Sequence, residues 1–218
     1  DTGFMGDRMC TCQKELLKEM QRAEIRRIAP LEECTFETFD VNYYPEEPVS
    51  GGISHRAKAE RILESCHRYA TGFTVGRTAN LMLMGMTGLG KTHLSLAIAN
   101  VAINRGFSVV YGTAHNLLND LQNENFGRTD HLRYTENDVL HTDLLIIDDL
   151  GTEFSSAYTV ACLYNIINTR ILAKRPTIIN TNYDFQELSE KYDQRITSRI
   201  AGEYSALVLF GNDIRYIK

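Results

Sequence analysis

The chain has 218 residues, a formal net charge of −5 and a hydrophobic content of 43%, which suits one large globular domain with a sizeable core. The acidic balance excludes a generally basic surface for nucleic acid, so any contact with DNA has to be local. No apolar run approaches the length that crosses a membrane and no secretory signal opens the sequence, so we expect a cytoplasmic protein.

The amino-terminal segment contains an isolated pair of cysteines. Five cysteines are an odd number and fit a reducing compartment better than a disulfide framework. Cys10 and Cys12 form a Cys-x-Cys pair that can supply half of a four-cysteine zinc site, but no second pair or nearby histidine follows. We therefore expect no zinc in this chain unless partners of the pair lie upstream of Asp1, since the sequence does not begin with methionine.

Two helices are predicted before the first strand. Residues 13–28 form an amphipathic helix that ends before Pro30, and a second helix begins after Ser54 as its N-cap and reaches about Tyr69. The sequence leaves open whether the first helix packs on its own domain or on a partner.

From Asn80 onward, short apolar strands alternate with helical stretches, which predicts an α/β fold: a parallel five-stranded sheet with helices on both faces. Ligands of such sheets bind beyond the carboxyl ends of the strands. The predicted strands are 80–84, 107–111, 144–148, 177–181 and 206–210, and the predicted helices are 91–105, 113–124, 156–173 and 185–201.

A glycine loop follows the first strand and opens a helix. Residues 85–92 read Gly-Met-Thr-Gly-Leu-Gly-Lys-Thr, a complete G-x-x-x-x-G-K-[ST] motif, and this context favours a phosphate site over an accidental glycine turn. Backbone N–H groups and the helix dipole suit the phosphates, Lys91 can reach the β- and γ-phosphates, and the Thr92 hydroxyl can ligate Mg²⁺. The predicted nucleotide-binding residues are Gly85, Thr87, Gly88, Leu89, Gly90, Lys91, Thr92 and His93.

The strand at 144–148 ends in two carboxylates, the Walker B arrangement. We assign Asp148 to Mg²⁺ and Asp149 to the attacking water, the alternative being two solvated acids at a strand end. The next strand ends at Asn182, whose amide could reach the γ-phosphate or the water, unless it belongs to a simple turn. We prefer it to Asn180, which should lie inside the strand.

Two arginines, Arg195 and Arg199, are four residues apart and share one face of a short helix. An arginine can neutralise charge on the transferred phosphoryl group, often from a neighbouring subunit. The alternative, which the sequence does not separate from this one, is a solvated pair bonded to Glu190 or Asp193.

In order and spacing, these motifs and the closing Gly-Asn-Asp-Ile-Arg segment resemble the AAA+ ATPases of the DnaC/DnaI type, the loaders of the replicative DNA helicase. The resemblance covers about residues 34–218 and implies a P-loop NTPase with an AAA+, RecA-like core. Only 19 residues follow Arg199, too few for a C-terminal helical lid, which this family also lacks. The Cys10–Cys12 pair is similar to the tail of the zinc module of many loaders, so residues 1–33 are predicted to be a remnant of that module plus a linker helix.

The resemblance also implies roles for single residues. Asn182 resembles the sensor of the γ-phosphate, Arg199 the finger inserted into the adjacent subunit's site with Arg195 as its alternative, and Arg215 a second sensor acting within the subunit. Most AAA+ ATPases carry glutamate where Asp149 stands, although related loaders often carry Asp-Asp. The shorter acid should hold the water less well, so we expect slow hydrolysis.

Partners follow from the resemblance. It implies a replicative hexameric helicase, single-stranded DNA and head-to-tail self-association through the ATP site. Ser156 and Tyr158 match positions near the pore of loaders, where a tyrosine face could stack on a base, and Arg128 and Arg133 could meet phosphates. The alternative is that each of them is an ordinary surface residue.

Three other functions stay open at this stage. An IstB-like ATPase that assists a transposase has nearly the same core motifs. A nucleotide-gated adaptor would bind ATP with negligible hydrolysis. A small-molecule kinase fits less well, because no basic lid follows the third strand and the arginine helix suits a subunit boundary.

Overall fold

Five parallel strands form the centre of the protein in a computed structural model that describes residues 10–48 and 52–216. They lie in the order β2-β3-β4-β1-β5, and all neighbouring pairs are parallel, which confirms the predicted sheet. The strands are β1 (Asn80–Met84), β2 (Val109–Thr113), β3 (Leu144–Leu150), β4 (Thr177–Thr181) and β5 (Tyr204–Val208). Strand β2 begins two residues later than predicted and β5 two residues earlier.

Helices cover both faces of this sheet, as the alternating pattern predicts. They are α1 (Thr11–Arg26), α2 (His55–Thr71), α3 (Lys91–Asn104), α4 (Ala114–Asn125), α5 (Glu136–His141), α6 (Ala157–Leu172), α7 (Phe185–Lys191) and α8 (Gln194–Glu203). Two 3₁₀ turns cover Val41–Tyr43 and Ile214–Tyr216. The Ser54 hydroxyl accepts a hydrogen bond from the Ala57 N–H at 3.1 Å, so Ser54 is the N-cap of α2.

The single helix predicted over 185–201 is wrong, because the chain breaks into two helices there. Tyr192 is extended, with φ −116° and ψ 157°, and ends α7. Asp193 then caps α8 by accepting from the Arg195 and Ile196 N–H groups. The sequence reading also missed α5, whose six residues are too few to show a helical repeat. Residues 191–193 thus form a corner between α7 and α8.

Successive residues of each strand face opposite layers of helices. Leu81 and Leu83 of β1 pack into the core with α1, α2 and α3, whereas Met82 and Met84 face the layer of α4 to α8. The sheet therefore lies between the two layers of helices. The carboxyl ends of β1, β3 and β4 lie at one edge of the sheet.

Helix α1 packs on this domain through its second half. Ile25 is fully buried in the same core as α3, and the Gln21 side chain accepts the Val109 N–H of edge strand β2 at 2.8 Å. Leu16, Leu17 and Met20 are exposed. The helix thus covers the open edge of the sheet, while the domain boundary after residue 33 stays a prediction.

The two cysteines lie side by side at the start of α1. Cys10 is the N-cap of the helix, where its sulfur accepts from the Gln13 N–H at 3.3 Å, and Cys12 lies in the first turn. Within residues 10–48 and 52–216, no group of three or more His, Cys, Asp or Glu side chains could hold a metal ion. In the same part of the chain, no helix is long and apolar enough to cross a membrane.

Candidate functional site

The glycine loop joins β1 to α3 at the carboxyl edge of the sheet. Gly88 and Gly90 have φ values of 77° and 79°, a left-handed conformation that glycine adopts without strain. A Cβ on Gly88 would collide with the carboxylate of Asp213, and one on Gly90 would lie 2.6 Å from the Phe39 ring. The loop is therefore surrounded closely by other parts of the chain, and its first helical turn leaves N–H groups unpaired in the way that favours an anion.

Lys91 crosses the glycine loop. Its ammonium donates to the carbonyls of Gly85 at 2.6 Å and Met86 at 2.8 Å, and to the side-chain oxygen of Asn182 at 2.7 Å. Burial lowers the pKa of Lys91, and the charges of Asp149 and Asp148 oppose that shift. The structure thus brings together Lys91 of the glycine loop and Asn182, which follows the end of β4.

Asp148 lies at the end of β3, 3% exposed, within a network of donors. The Thr92 hydroxyl is 3.0 Å from its Oδ2 and 3.2 Å from its Oδ1. The Tyr111 hydroxyl donates to Oδ2 at 2.5 Å, and the Asn180 amide donates to Oδ1 at 2.8 Å. A carboxylate and a hydroxyl at this spacing are the oxygen ligands that Mg²⁺ uses beside phosphates, so the site fits the ion.

Asn180 lies inside β4, as expected, and is fully buried. Its amide group donates to Asp148 and to Ser95 of α3, the latter at 2.8 Å. Its side-chain oxygen has no hydrogen-bond partner among the described residues. Asn180 therefore orients the Asp148 carboxylate through a hydrogen bond from the neighbouring strand, β4. This role was not predicted from the sequence.

Asp149 has a positive φ of 52°, uncommon for a residue other than glycine. The pairing of β3 with β4 shifts register between Ile147 and Leu150, so the strand has a bulge at Asp148 and Asp149. Burial raises the pKa of Asp149, and the neighbouring charge of Asp148 raises it further. Local strain of this kind is common at functional sites.

The segment before α2 closes over the glycine loop. The Tyr44 hydroxyl donates to the Leu89 carbonyl at 2.7 Å, and Phe39 packs edge-on against His93. The imidazole Nε2 of His93 donates to the Thr35 carbonyl at 2.7 Å. The side chain of His93 is thus directed to this segment, which leaves its backbone N–H at the start of α3 as the group that could meet phosphate.

The three arginines lie in different surroundings. Arg199 is half-buried and donates to Asn168 Oδ1 at 2.9 Å and Tyr164 Oη at 3.1 Å, both on α6. Arg195 is exposed and pairs with Asp193 at 2.8 Å, as one alternative anticipated.

Arg215, also exposed, pairs with Asp213 at 2.6 Å, and the Ile214 N–H donates to the Gly88 carbonyl at 3.1 Å. Arg215 therefore lies on a segment that is hydrogen-bonded to the glycine loop.

The residues considered for DNA contact lie at the start of α6 and after the end of α4. Ser156 is the exposed N-cap of α6, whereas Tyr158 is half-buried and donates to the Leu121 carbonyl at 3.0 Å. Arg128 is exposed, with its guanidinium 5.9 Å from the Phe126 ring. Phe154, between β3 and α6, is 86% exposed and offers a freer aromatic face than Tyr158 does.

Three comparisons place the chain among known proteins. A family model described as IstB-like ATP binding protein matches residues 56–201. The replicative helicase loader DnaC of Escherichia coli strain K12 is 29% identical over 199 residues, 89% of this chain and 75% of that protein.

Two solved structures share the fold. A crystal structure of the DnaC helicase loader superposes with a TM-score of 0.65 at 20% identity, covering 83% of this chain and 98% of the other. The AMPPCP-bound initiator DnaA from Aquifex aeolicus superposes with a TM-score of 0.63 at 24% identity, covering 87% of this chain and 53% of the other. This chain spans about half of that initiator's length.

These likenesses agree with the P-loop, the Asp-Asp strand end and the β2-β3-β4-β1-β5 sheet, and the family match includes every motif from Gly85 to Arg199. The predicted P-loop NTPase fold of AAA+ type is confirmed, and the chain belongs to the IstB-like ATP-binding protein family, which includes its DnaC-type relatives.

Proposed function

We propose that this protein is an ATP-dependent loader of the replicative DNA helicase, in which ATP binding and hydrolysis switch its grip on helicase and single-stranded DNA. One observation carries the proposal: the likeness to DnaC extends over 89% of the chain, within which the family match over residues 56–201 includes the glycine loop, the Asp148–Asp149 pair and Arg199. The protein would act in the cytoplasm, where the replicative helicase works.

The glycine loop would hold the triphosphate. The N–H groups of the loop and of the first turn of α3 would meet the β-phosphate, and Lys91 would leave the Gly85 and Met86 carbonyls for the β- and γ-oxygens. Thr92 and Asp148 would hold Mg²⁺, which neutralises charge that develops on the phosphate oxygens. Tyr111 and Asn180 keep the Asp148 carboxylate in position for this.

Asp149 would orient and deprotonate the attacking water, and Asn182 would read the γ-phosphate. Because aspartate reaches less far than glutamate, it should hold the water less well, so we expect slow hydrolysis, which suits a switch. Arg215 would sense the nucleotide within the subunit, since its segment is hydrogen-bonded to the loop at Gly88.

The active site would be completed by a neighbouring subunit. Among the described residues, the side chain of Arg199 donates to Asn168 and Tyr164 of α6 and not to the glycine loop, which supports a role in a head-to-tail assembly. Ser156, Tyr158 and Arg128, with Arg133, would lie along the path of single-stranded DNA, where aromatic faces and guanidinium groups are the usual contacts.

The test measures ATP hydrolysis with and without single-stranded DNA for the wild type, for Arg199→Ala and for Arg68→Ala, which removes an arginine exposed on α2. Arg199→Ala should lose turnover and keep ATP binding, whereas Arg68→Ala should match the wild type. Equal hydrolysis by all three would mean that Arg199 is a surface residue and that the shared site does not exist.

Helicase loading needs its own assay. The protein is added to a replicative hexameric helicase and circular single-stranded DNA, and helicase bound to the circle is measured by gel filtration. ATP-dependent transfer of helicase that is lost in Lys91→Ala supports the loader. Two alternatives have distinct outcomes: stimulation of a transposase without helicase transfer favours the IstB-like helper, and transfer with ATP binding but no phosphate release favours a nucleotide-gated adaptor.

A further inference from the structure

Glu153 is a buried carboxylate in the turn after β3, the strand that carries Asp148 and Asp149. It has no part in the proposed nucleotide chemistry. It lies four residues after Asp149 and is only 4% exposed. Its Oε2 accepts the Gly151 N–H at 2.9 Å, so the carboxylate holds the turn that leaves β3. A buried carboxylate costs free energy unless it is fully paired, so its partners indicate what it is retained for.

The other partners of Glu153 lie at the corner between α7 and α8. The Tyr192 hydroxyl donates to Glu153 Oε1, and the Lys191 ammonium is 3.9 Å from the same atom. Lys191 also donates to the carbonyls of Gly151 and Glu153, the second at 3.3 Å. One carboxylate thus fastens both residues of the corner to the turn after the Walker B strand.

The packing around Gly151 makes this contact rigid. Gly151 has a φ of 109°, and a Cβ there would collide with the Tyr183 ring, which follows Asn182 at the end of β4. The Thr181 hydroxyl donates to the Leu150 carbonyl at 2.7 Å, so the ends of β3 and β4 are joined as well. The turn therefore moves together with the catalytic edge of the sheet.

Helix α8 starts directly after this corner. Asp193, next to Tyr192, is its N-cap, and Arg195 and Arg199 follow on the helix. A shift of the turn would pass through Tyr192 to the first residue of α8 and change the direction in which Arg199 points. The chain of contacts runs from the cis catalytic residue Asp149 to the arginine that would serve the neighbouring site.

We infer that Glu153 is a positioning residue that couples the Walker B turn to helix α8 and so sets the placement of Arg199 in the neighbouring subunit's active site. The inference rests on the proposed function, because it requires a shared ATP site. Glu153 touches neither nucleotide nor water in this scheme. Its carboxylate acts through Tyr192 and Lys191.

The variant Glu153→Gln tests this role with little change in volume. A glutamine has one acceptor oxygen and one donor group, so it can accept from Gly151 or from Tyr192 but not from both, and it no longer attracts Lys191. Glu190→Gln is the matched control, because it removes the same charge from an exposed position on α7, where Glu190 accepts a hydrogen bond from the Gln186 side chain at 3.2 Å. Both variants should bind ATP like the wild type.

A mixing experiment separates the two directions of coupling. Subunits with Asp149→Asn have no working site but an intact finger, and subunits with Arg199→Ala have the reverse. If the site is shared, a mixture of the two should hydrolyse ATP although neither does so alone. Failure of this mixture overturns the shared site of the proposed function and with it the basis of the inference.

Glu153→Gln is then added to one subunit type at a time. In the Asp149→Asn subunit, which contributes only the finger, it should lower hydrolysis of the mixture by about tenfold, because a displacement of about 1 Å in a catalytic group can cost up to about a hundredfold in rate. In the Arg199→Ala subunit it should have a clearly smaller effect. An equal loss in both placements, a loss only in the second, or no loss overturns the inference while leaving the shared site intact.

Tyr192→Phe provides an independent check from the other side of the hydrogen bond. Placed in the finger-contributing subunit, it should lower hydrolysis in the same direction as Glu153→Gln, with ATP affinity and melting temperature close to those of the control. Loss of folding in Glu153→Gln would leave Tyr192→Phe as the deciding variant. Full ATP hydrolysis by the mixture that contains Tyr192→Phe would contradict the coupling between the turn after β3 and α8.

Discussion

The ammonium of Lys91 donates to the side-chain oxygen of Asn182 at 2.7 Å, which joins the glycine loop to the end of β4. A bound triphosphate competes for the same ammonium, so it would release Asn182 to face the γ-phosphate. We expect Asn182→Ala to lower the rate of hydrolysis by about tenfold or more, as the loss of one positioned polar group typically does. ATP affinity should change by less than about threefold, because Lys91 keeps its phosphate contacts.

Asn182→Asp is the matched variant for this pair. It keeps an acceptor for Lys91 but places a second negative charge near the phosphates, so it should weaken ATP binding as well as hydrolysis. Nucleotide affinity is measured by fluorescence with a labelled ATP analogue, and hydrolysis by phosphate release. If Asn182→Ala binds ATP much more weakly but hydrolyses bound ATP normally, Asn182 holds nucleotide and does not sense the γ-phosphate.

Tyr111→Phe tests the network around Asp148. The Tyr111 hydroxyl donates to Asp148 Oδ2 at 2.5 Å, and burial raises the pKa of this tyrosine, so it stays a donor at neutral pH. Removing the oxygen leaves the ring in place but frees the carboxylate to rotate away from the ligand geometry of Mg²⁺. We expect the Mg²⁺ concentration for half-maximal hydrolysis to rise by about tenfold or more, because losing a hydrogen-bond partner of a metal ligand typically lowers metal affinity about 10- to 100-fold.

Binding of nucleotide in EDTA serves as the internal control for Tyr111→Phe, because that measurement does not involve the metal. It should equal the wild-type value. Weaker binding in EDTA would mean that Tyr111 supports the glycine loop or the core and that its contact with Asp148 is incidental.

The motifs that could be predicted from the sequence are those whose functional residues are adjacent in the chain. The glycine loop and the Asp148–Asp149 pair each need only one short segment, and their strands were visible as apolar runs. The long helices α3 and α6 were recognisable for a similar reason, since they span several turns. Local pattern was therefore sufficient for the fold and for the first half of the site.

The residues that the sequence missed act across the sheet. Asn180 and Tyr111 reach Asp148 from strands 32 and 37 residues away, and Glu153 reaches Tyr192 over 39 residues. Their placement depends on the register of parallel strands and on the break between α7 and α8, neither of which a linear pattern contains. The exposed aromatic Phe154 was missed because an isolated residue in a polar loop carries no periodic signal.

Gly88→Ala should disrupt the loop more than its backbone conformation alone requires. Its φ is 77°, and a Cβ would collide with the Asp213 carboxylate. Gly127→Ala is the matched control, because Gly127 has a φ of 69° and no atom within 4 Å of the added Cβ. Both variants pay about 1 kcal/mol for the left-handed conformation, but only Gly88→Ala should also displace the carboxy-terminal segment and lose ATP binding.

The comparison uses thermal unfolding and ATP titration of the two glycine variants. Similar melting temperatures together with similar ATP affinities would show that Asp213 moves aside at little cost and that the carboxy-terminal segment does not lie firmly on the loop. A selective loss of ATP binding in Gly88→Ala would support the placement of Arg215 beside the nucleotide.

Arg170→Met tests the hydrogen bonds of a buried guanidinium at the amino-terminal end of β4, away from the nucleotide site. Arg170 is fully buried, and its guanidinium donates to the Thr177 hydroxyl at 2.9 Å and to four main-chain carbonyls. Those carbonyls belong to Val139, Leu140, Thr142 and Pro176, at 2.8 to 3.2 Å. Burial lowers the pKa of Arg170 to about 10, so the group remains charged at neutral pH.

Methionine fills a similar volume but satisfies none of these acceptors, and its lower desolvation cost offsets only part of the loss. We expect the free energy of unfolding to fall by about 2–4 kcal/mol in urea titrations, since hydrogen bonds from charged groups contribute about 1.5–3 kcal/mol each. Arg68→Met, at an exposed position of α2, should leave stability close to that of the wild type. Because Arg170 is remote from the nucleotide, the folded fraction of Arg170→Met should still bind ATP normally. Unchanged stability would mean that water replaces the guanidinium among those carbonyls.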